Sequence, residues 1–122
     1  MPQFTIVIPV KTGGVYLKQA VDSVLAQTIK DFELVILGDA VTAKSDLKFL
    51  QSYNDSRIKI DFSNTELNML ENWDRIRSIQ KHEFLTILGY DDILFPTYLE
   101  RMQELIAKHP KASLYQVGFD FI

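Results

Sequence analysis

The sequence predicts an α/β fold, a three-layer α/β/α sandwich on one mainly parallel sheet. Three observations carry this prediction. Five apolar runs alternate with four amphipathic ones along the 122 residues. The first, second and fourth apolar runs are almost continuous, the pattern of central strands covered on both faces. No linker, internal repeat or low-complexity segment interrupts the alternation. With 47% hydrophobic and 24% charged residues, the chain has the composition of one globular domain that buries its core without staples.

The elements follow in order. A first strand is expected over Phe4–Val10, opening with Phe4-Thr5-Ile6-Val7-Ile8. After Gly13-Gly14, the residues Leu17, Ala20, Val21, Val24 and Leu25 recur at helical spacing. Phe32–Leu37 is the second strand, and a shorter helix is expected over Ala43–Tyr53, with Leu47, Phe49 and Leu50 apolar. In Arg57–Phe62, the third strand, Ile58, Ile60 and Phe62 alternate with Lys59 and Asp61, so it lies at an edge or has one wet face. Leu67–Ile79 sets Leu67, Leu70, Ile76 and Ile79 on one helical stripe. Phe84–Leu88 is the fourth strand. Pro96 suits the first turn of the last helix, whose Leu99, Met102, Leu105 and Ile106 face inward until His109-Pro110 ends it. Ser113–Phe121 alternates again as a fifth strand, with Tyr115, Val117, Phe119 and Phe121 on one side. Right-handed crossovers give the strand order 3-2-1-4-5.

Composition excludes several functions. The net charge is −3 and the basic residues are scattered, so the stripe that neutralises nucleic-acid phosphates is missing. There are no cysteines, hence no disulfide, zinc-thiolate site or thiol nucleophile, which fits a reducing compartment. Apolar runs fall well short of the roughly 18 residues of a membrane span, and with a strand-like run directly after Met1 no signal segment is expected ahead of the fold.

In open sheets of this kind ligands bind outside the carboxyl ends of the strands, which directs attention to whatever follows 119 and to the loops 9–14, 38–43, 63–67 and 89–96. The last holds Gly89-Tyr90-Asp91-Asp92. Two adjacent carboxylates repel each other unless something cationic compensates them, and a hard divalent ion ligated by carboxylate and phosphate oxygens does so. Alternatively Asp92 caps the next helix and Asp91 is simply solvated. Asp39, just past the second strand, suits a nucleobase imide or a ribose hydroxyl, or else a turn that bonds its own backbone. Pro9-Val10-Lys11-Thr12-Gly13-Gly14 brings backbone and an ammonium near a ligand, without the spacing of either glycine-rich phosphate motif. Trp73, on the third helix, reads as core more readily than as a stacking platform. His82 reads as a loop residue and His109 as a helix end.

Taken in order, these pieces resemble the family 2 glycosyltransferases of the GT-A (nucleotide-diphospho-sugar transferase) fold. The carriers are Phe4-Thr5-Ile6-Val7-Ile8-Pro9, the helix Leu17-Lys18-Gln19-Ala20-Val21-Asp22-Ser23-Val24-Leu25-Ala26-Gln27-Thr28, Phe32-Glu33-Leu34-Val35-Ile36-Leu37-Gly38-Asp39, Asn72-Trp73-Asp74-Arg75, and Glu83 through Asp92 with Pro96. The helix follows the pattern L-x-x-A-[IVL]-x-S-[IVL]-L-x-Q-[ST]. The resemblance implies that residues 1–122 are the nucleotide-sugar-binding part of an enzyme whose acceptor half is missing. That enzyme would move a sugar from a nucleotide-diphosphate donor, a UDP-sugar, to a saccharide or lipid-linked saccharide hydroxyl. It also implies a place in cell-surface polysaccharide synthesis, in the cytoplasm or at the cytoplasmic face of the membrane.

By the same resemblance Asp39 contacts the nucleobase, and Pro9, Val10, Lys11, Thr12 and Tyr90 line the nucleotide. Asp91, with Asp92 in an auxiliary role, holds a manganese or magnesium ion. The acceptor-activating base is expected beyond Ile122. Gly38 and Gly89 depart from the family pattern by replacing acids, and Lys11-Thr12 replaces Tyr-Asn. A nucleotide-binding module without catalysis is therefore the alternative. Without the acceptor half, Tyr115, Val117 and Phe119 would be uncovered and favour self-association.

Overall fold

The computed structural model describes residues 3–79 and 81–121. Four strands, β1 (Phe4–Pro9), β2 (Phe32–Gly38), β3 (Ile58–Phe62) and β4 (Phe84–Ile87), form one parallel sheet in the order 3-2-1-4. Its centre is dry. Every residue of β1 is buried, and β2 is buried except at Glu33. β3 alternates as its sequence requires and occupies one edge.

The helices α1 (Gly14–Leu25), α2 (Ala40–Ser45), α3 (Leu47–Gln51), α4 (Met69–Asp74) and α5 (Tyr98–Lys108) complete the layers. On one face, Ile6, Ile8, Leu34 and Ile36 pack with Leu17, Ala20, Val21 and Val24 of α1, Leu50 of α3, and Leu99 and Met102 of α5. Each of these buried side chains larger than alanine contributes about 1.5–3 kcal/mol of transfer free energy. The opposite face is thinner: Val7, Val35 and Leu37 meet Ile76, which sits in a 3-10 turn over Arg75–Arg77 that follows α4. Among the described residues no helix is long and apolar enough to cross a membrane.

Several expectations change. The helix expected over Ala43–Tyr53 is two helices. Asp39 caps the first and starts it at Ala40, and the chain breaks at Asp46, where the backbone turns to φ −124°. The helix expected over Leu67–Ile79 is shortened to α4 and its 3-10 turn, because the Asn68–Glu71 capping box fixes its start at Met69. Leu70 is consequently 77% exposed, off the expected apolar stripe. The last helix starts at Tyr98, two residues beyond Pro96.

The fifth strand is the main departure. Among the described residues Ser113–Phe121 forms no strand, which leaves β4 as an edge with Leu85 and Ile87 exposed. Tyr115 and Val117 still pack against the main core, while Phe119 stands exposed beside Phe121. The expectation of an uncovered apolar row thus applies to Phe119 and not to Tyr115 or Val117.

Candidate functional site

Parallel strands end at a common rim, so the loops after β1, β2, β3 and β4 share one side of the sheet. β1 lies between β2 and β4, which separates the turns carrying Asp39 and Asp91 by about 10 Å, two strand spacings.

Over β1–β3 the rim is knit together by side chains of the 39–46 segment. Asp39 is 2% exposed. Its Oδ1 accepts from the N–H of Val41 (2.9 Å) and Thr42 (3.2 Å), as an N-cap should. Its Oδ2 accepts from the N–H of Leu67 (2.9 Å) and from Lys11 Nζ (3.2 Å). Four donors thus fill the acceptor positions of one carboxylate. Burial opposes ionisation of Asp39. The hydrogen bonds from Leu67, Thr42, Lys11 and Val41 outweigh it and hold the carboxyl down to about 2.

Thr42 and Asp46 complete the clasp. Thr42 Oγ1 accepts from the Asp39 N–H (3.0 Å), and its hydroxyl lies 3.2 Å from the Val10 carbonyl. Asp46, also buried, takes the N–H of Gly13 (2.9 Å) on Oδ2 and of Gly14 (3.2 Å) on Oδ1. The amides at the start of α1 are thus satisfied by the protein's own carboxylate. Asn72 of α4 and Arg75 of the 3-10 turn after it brace the same rim: Asn72 Nδ2 donates to the Leu37 carbonyl (2.9 Å), and Arg75 donates to the Gly38 carbonyl and to Asp61 Oδ1, both at 2.6 Å.

Of the residues expected to line a nucleotide, Pro9 and Val10 are buried, and Val10 spends both backbone polar groups on Leu37 and Thr42. Tyr90 packs against the main core. Lys11 and Thr12 are exposed. The Lys11 ammonium donates to Asp39, to the Leu67 carbonyl (2.8 Å), and meets Glu66 Oε1 at 3.0 Å. Bonding to Glu66 first, with Asp39 adding to it, raises its pKa against the desolvation that lowers it.

The turn after β4 differs. Asp92 N–H closes it on the Gly89 carbonyl at 3.1 Å. Asp91 and Asp92 are exposed, and neither carboxylate has a salt-bridge partner among the described residues. Both lean over Gly89: a Cβ there would lie 2.6 Å from Asp92 Oδ2 and 3.4 Å from Asp91 Oδ1. The two acids therefore converge on the space that a side chain at position 89 would fill. Asp92 does not cap the next helix, which has Thr97 at its N-cap. Among the described residues no third His, Cys, Asp or Glu joins the pair. Two carboxylates with the rest supplied by phosphate and water is a donor set suited to magnesium or manganese.

Behind this turn the chain runs back along α1. Leu94 N–H donates to Ser23 Oγ (3.1 Å), buried Gln27 bridges the Phe95 carbonyl (2.6 Å) and the Leu99 N–H (3.0 Å), and Thr28 N–H donates to the Pro96 carbonyl (2.9 Å). Ser23 and Gln27 belong to the helix pattern read in the sequence, although their role as moorings was not. Asn72 belongs to the Asn72-Trp73-Asp74-Arg75 run read in the sequence, again without its bracing role, while Thr42 and Asp46 were missed entirely. Polar residues facing a wet rim carry no apolar period to give them away. Trp73, expected in the core, is 43% exposed.

Comparison with known proteins adds to this geometry. The sequence profile described as glycosyl transferase family 2 matches residues 5–121. An uncharacterized glycosyltransferase of Rickettsia typhi is 31% identical over 122 residues, covering 99% of this chain and 37% of the relative. Glycosyltransferase GlyG of Streptococcus pneumoniae is 24% identical over 106 residues, 84% of this chain and 34% of that protein. The chain thus spans little more than a third of these relatives. Among solved structures, S. aureus TarS 1-349 superposes with a TM-score of 0.75 at 20% identity, over 90% of this chain and 33% of that one. A second TarS structure, in complex with UDP-GlcNAc, gives 0.74 at 21% identity, over 90% and 32%. At such identity the likeness bears on the fold, which is that of a GT-A glycosyltransferase.

Proposed function

Because the chain belongs to glycosyl transferase family 2, we propose that residues 1–122 form the donor-binding part of an enzyme that transfers a sugar from a nucleotide-diphosphate donor, a UDP-sugar, to an acceptor hydroxyl. The observation that carries this reading is the turn after β4. Two exposed carboxylates, without an ion-pair partner among the described residues, converge over Gly89 on the same rim as the ammonium of Lys11. The base and ribose would lie at Lys11 and Thr12 over a floor of Pro9 and Val10, with Tyr90 beside them. The diphosphate would reach across the end of β1 to Asp91 and Asp92.

Asp91 and Asp92 are the residues to hold manganese or magnesium, their mutual repulsion being relieved by the cation. When bound, such an ion supplies Lewis-acid stabilisation of the charge left on the diphosphate as the sugar departs. Both glycine departures fit an intact site. At Gly38 a Cβ would strike Thr42 at 2.6–2.8 Å, so Thr42 fills the place of the missing acid; at Gly89 the carboxylate of Asp92 does so. The acceptor, a saccharide or lipid-linked saccharide of cell-surface polysaccharide synthesis, and the base that activates it fall to residues outside this stretch. A cytoplasmic site, at the membrane face for a lipid-linked acceptor, suits that chemistry.

The test is calorimetric titration of UDP with and without manganese against wild type and Asp91→Asn. Manganese should tighten UDP binding to wild type, and the substitution should weaken the manganese-dependent part at least about tenfold, a loss of 1.4 kcal/mol. Equal manganese dependence in both proteins removes Asp91 from the metal role.

A further inference from the structure

Asp39 is the residue that resemblance assigns to the nucleobase, yet its surroundings leave it nothing to offer. It is buried, and its four donors are Val41, Thr42, Leu67 and Lys11, three of them backbone amides of the fold itself. An imide N–H from a base would have to displace one of them. Lys11 stands on the solvent side of this carboxylate, 46% exposed, and has three hydrogens to place. Two go to anchors inside the fold, Asp39 Oδ2 and the Leu67 carbonyl. The third meets Glu66, which is 67% exposed and holds the ammonium only through a solvent-screened contact. That third donor is the one a ligand can claim at small cost, by replacing Glu66.

We infer that Lys11 sets the nucleobase preference of this site by donating a hydrogen bond to a carbonyl or ring-nitrogen acceptor of the base. Asp39 then acts as a positioning residue that holds the ammonium in place. The inference rests on the donor-site reading above and changes its chemistry. An acid facing the base selects for a ring N–H, as uracil has at N3. An ammonium is indifferent to that hydrogen and accepts cytosine, whose N3 is a lone pair, alongside uracil through its carbonyls. The site should therefore take pyrimidine nucleoside diphosphates of both kinds.

The experiment compares the dissociation constants of CDP and UDP, with manganese present, for wild type, Lys11→Met and Lys11→Arg. Wild type should bind the two nucleotides comparably. Lys11→Met uncovers Asp39 Oδ2, which suits the uracil N–H and repels the cytosine lone pair, so the CDP-to-UDP ratio should rise at least about tenfold, the scale of one charged hydrogen bond. Lys11→Arg keeps a donor and should keep the wild-type ratio. Lys11 is half exposed, so both variants are expected to fold. An unchanged ratio in Lys11→Met, with binding intact, overturns the inference and leaves the donor site standing. Failure of wild type to bind either nucleotide overturns the donor-site reading and this inference with it.

Discussion

Asp39 and Asp91 follow the two strands that flank β1 in one parallel sheet and face the same rim, yet they do opposite work. The first is buried under four donors and ties three loops together. The second is exposed, shares its turn with another acid, and has no counter-charge among the described residues. What separates them is the number of amides within reach. The chain after β2 enters α2 at once, so its first amides point at Asp39. The chain after β4 makes a turn and runs on without helix until Tyr98, which leaves Asp91 and Asp92 no amide cluster to satisfy them. A saturated carboxylate holds structure, and an unsaturated pair is available to a cation.

The contrast can be broken most directly by truncation. Asp39→Ala leaves the amides of Val41, Thr42 and Leu67 without their acceptor, and should cost about 3 kcal/mol in urea denaturation, the upper end for buried donors left unsatisfied. Asp91→Ala should stay near the wild-type midpoint, and equal losses would erase the distinction.

Acid sharpens it further. The Asp39 carboxyl lies at about 2 in the fold against 3.8 ordinarily. Its stabilising contribution, about 2 kcal/mol, is thus fully present above pH 4 and fades as pH falls toward 2. Asp55, held at about 2 chiefly by its hydrogen bonds from Arg57, adds to the same slope. Asp39→Asn should therefore flatten the fall in stability between pH 4 and 2 without abolishing it, as followed by circular dichroism.

The glycines offer a subtler comparison. In Gly38→Ala the new methyl meets the β-carbon and both γ-atoms of Thr42, which α2 holds rigidly, and should cost about 1–3 kcal/mol. In Gly89→Ala it meets the far end of the Asp92 side chain, which can swing aside, so the cost should stay below about 0.5 kcal/mol. Smallest of all should be the double substitution Asp91→Asn with Asp92→Asn. Its thermal midpoint should match wild type or rise slightly, because like-charge repulsion disappears and no partner is lost.

The sheet was legible because burial writes itself into apolar runs: β1 and β2 are dry on both faces, and β3 shows its wet edge in Lys59 and Asp61. The helix after β2 was misjudged because its beginning and its break are set by the hydrogen bonds of Asp39 and Asp46, not by hydrophobic period. Ser113–Phe121 alternates like a strand but pairs with none among the described residues, since alternation reports a two-faced environment and not a partner. At the site, the acids and Lys11 could be picked out by type and position. Which of them is spent internally depends on contacts 28 residues apart, as between Lys11 and Asp39, and no local pattern reports these.

Gln27 and Ser23 carry a consequence for motion. On one side of the acid turn, the Leu88 N–H is fixed to the Val7 carbonyl in the sheet; on the other, Leu94 is fixed to α1. Between these bolts lie only Gly89 to Ile93, and Tyr90 among them packs against the main core. Rearrangement of the two acids around an incoming diphosphate is thereby restricted to a short pivot, on the nanosecond-to-microsecond scale of loops and not the slower scale of domain closure. A tether this tight lets the carboxylates re-aim while the sheet and α1 stay where they are.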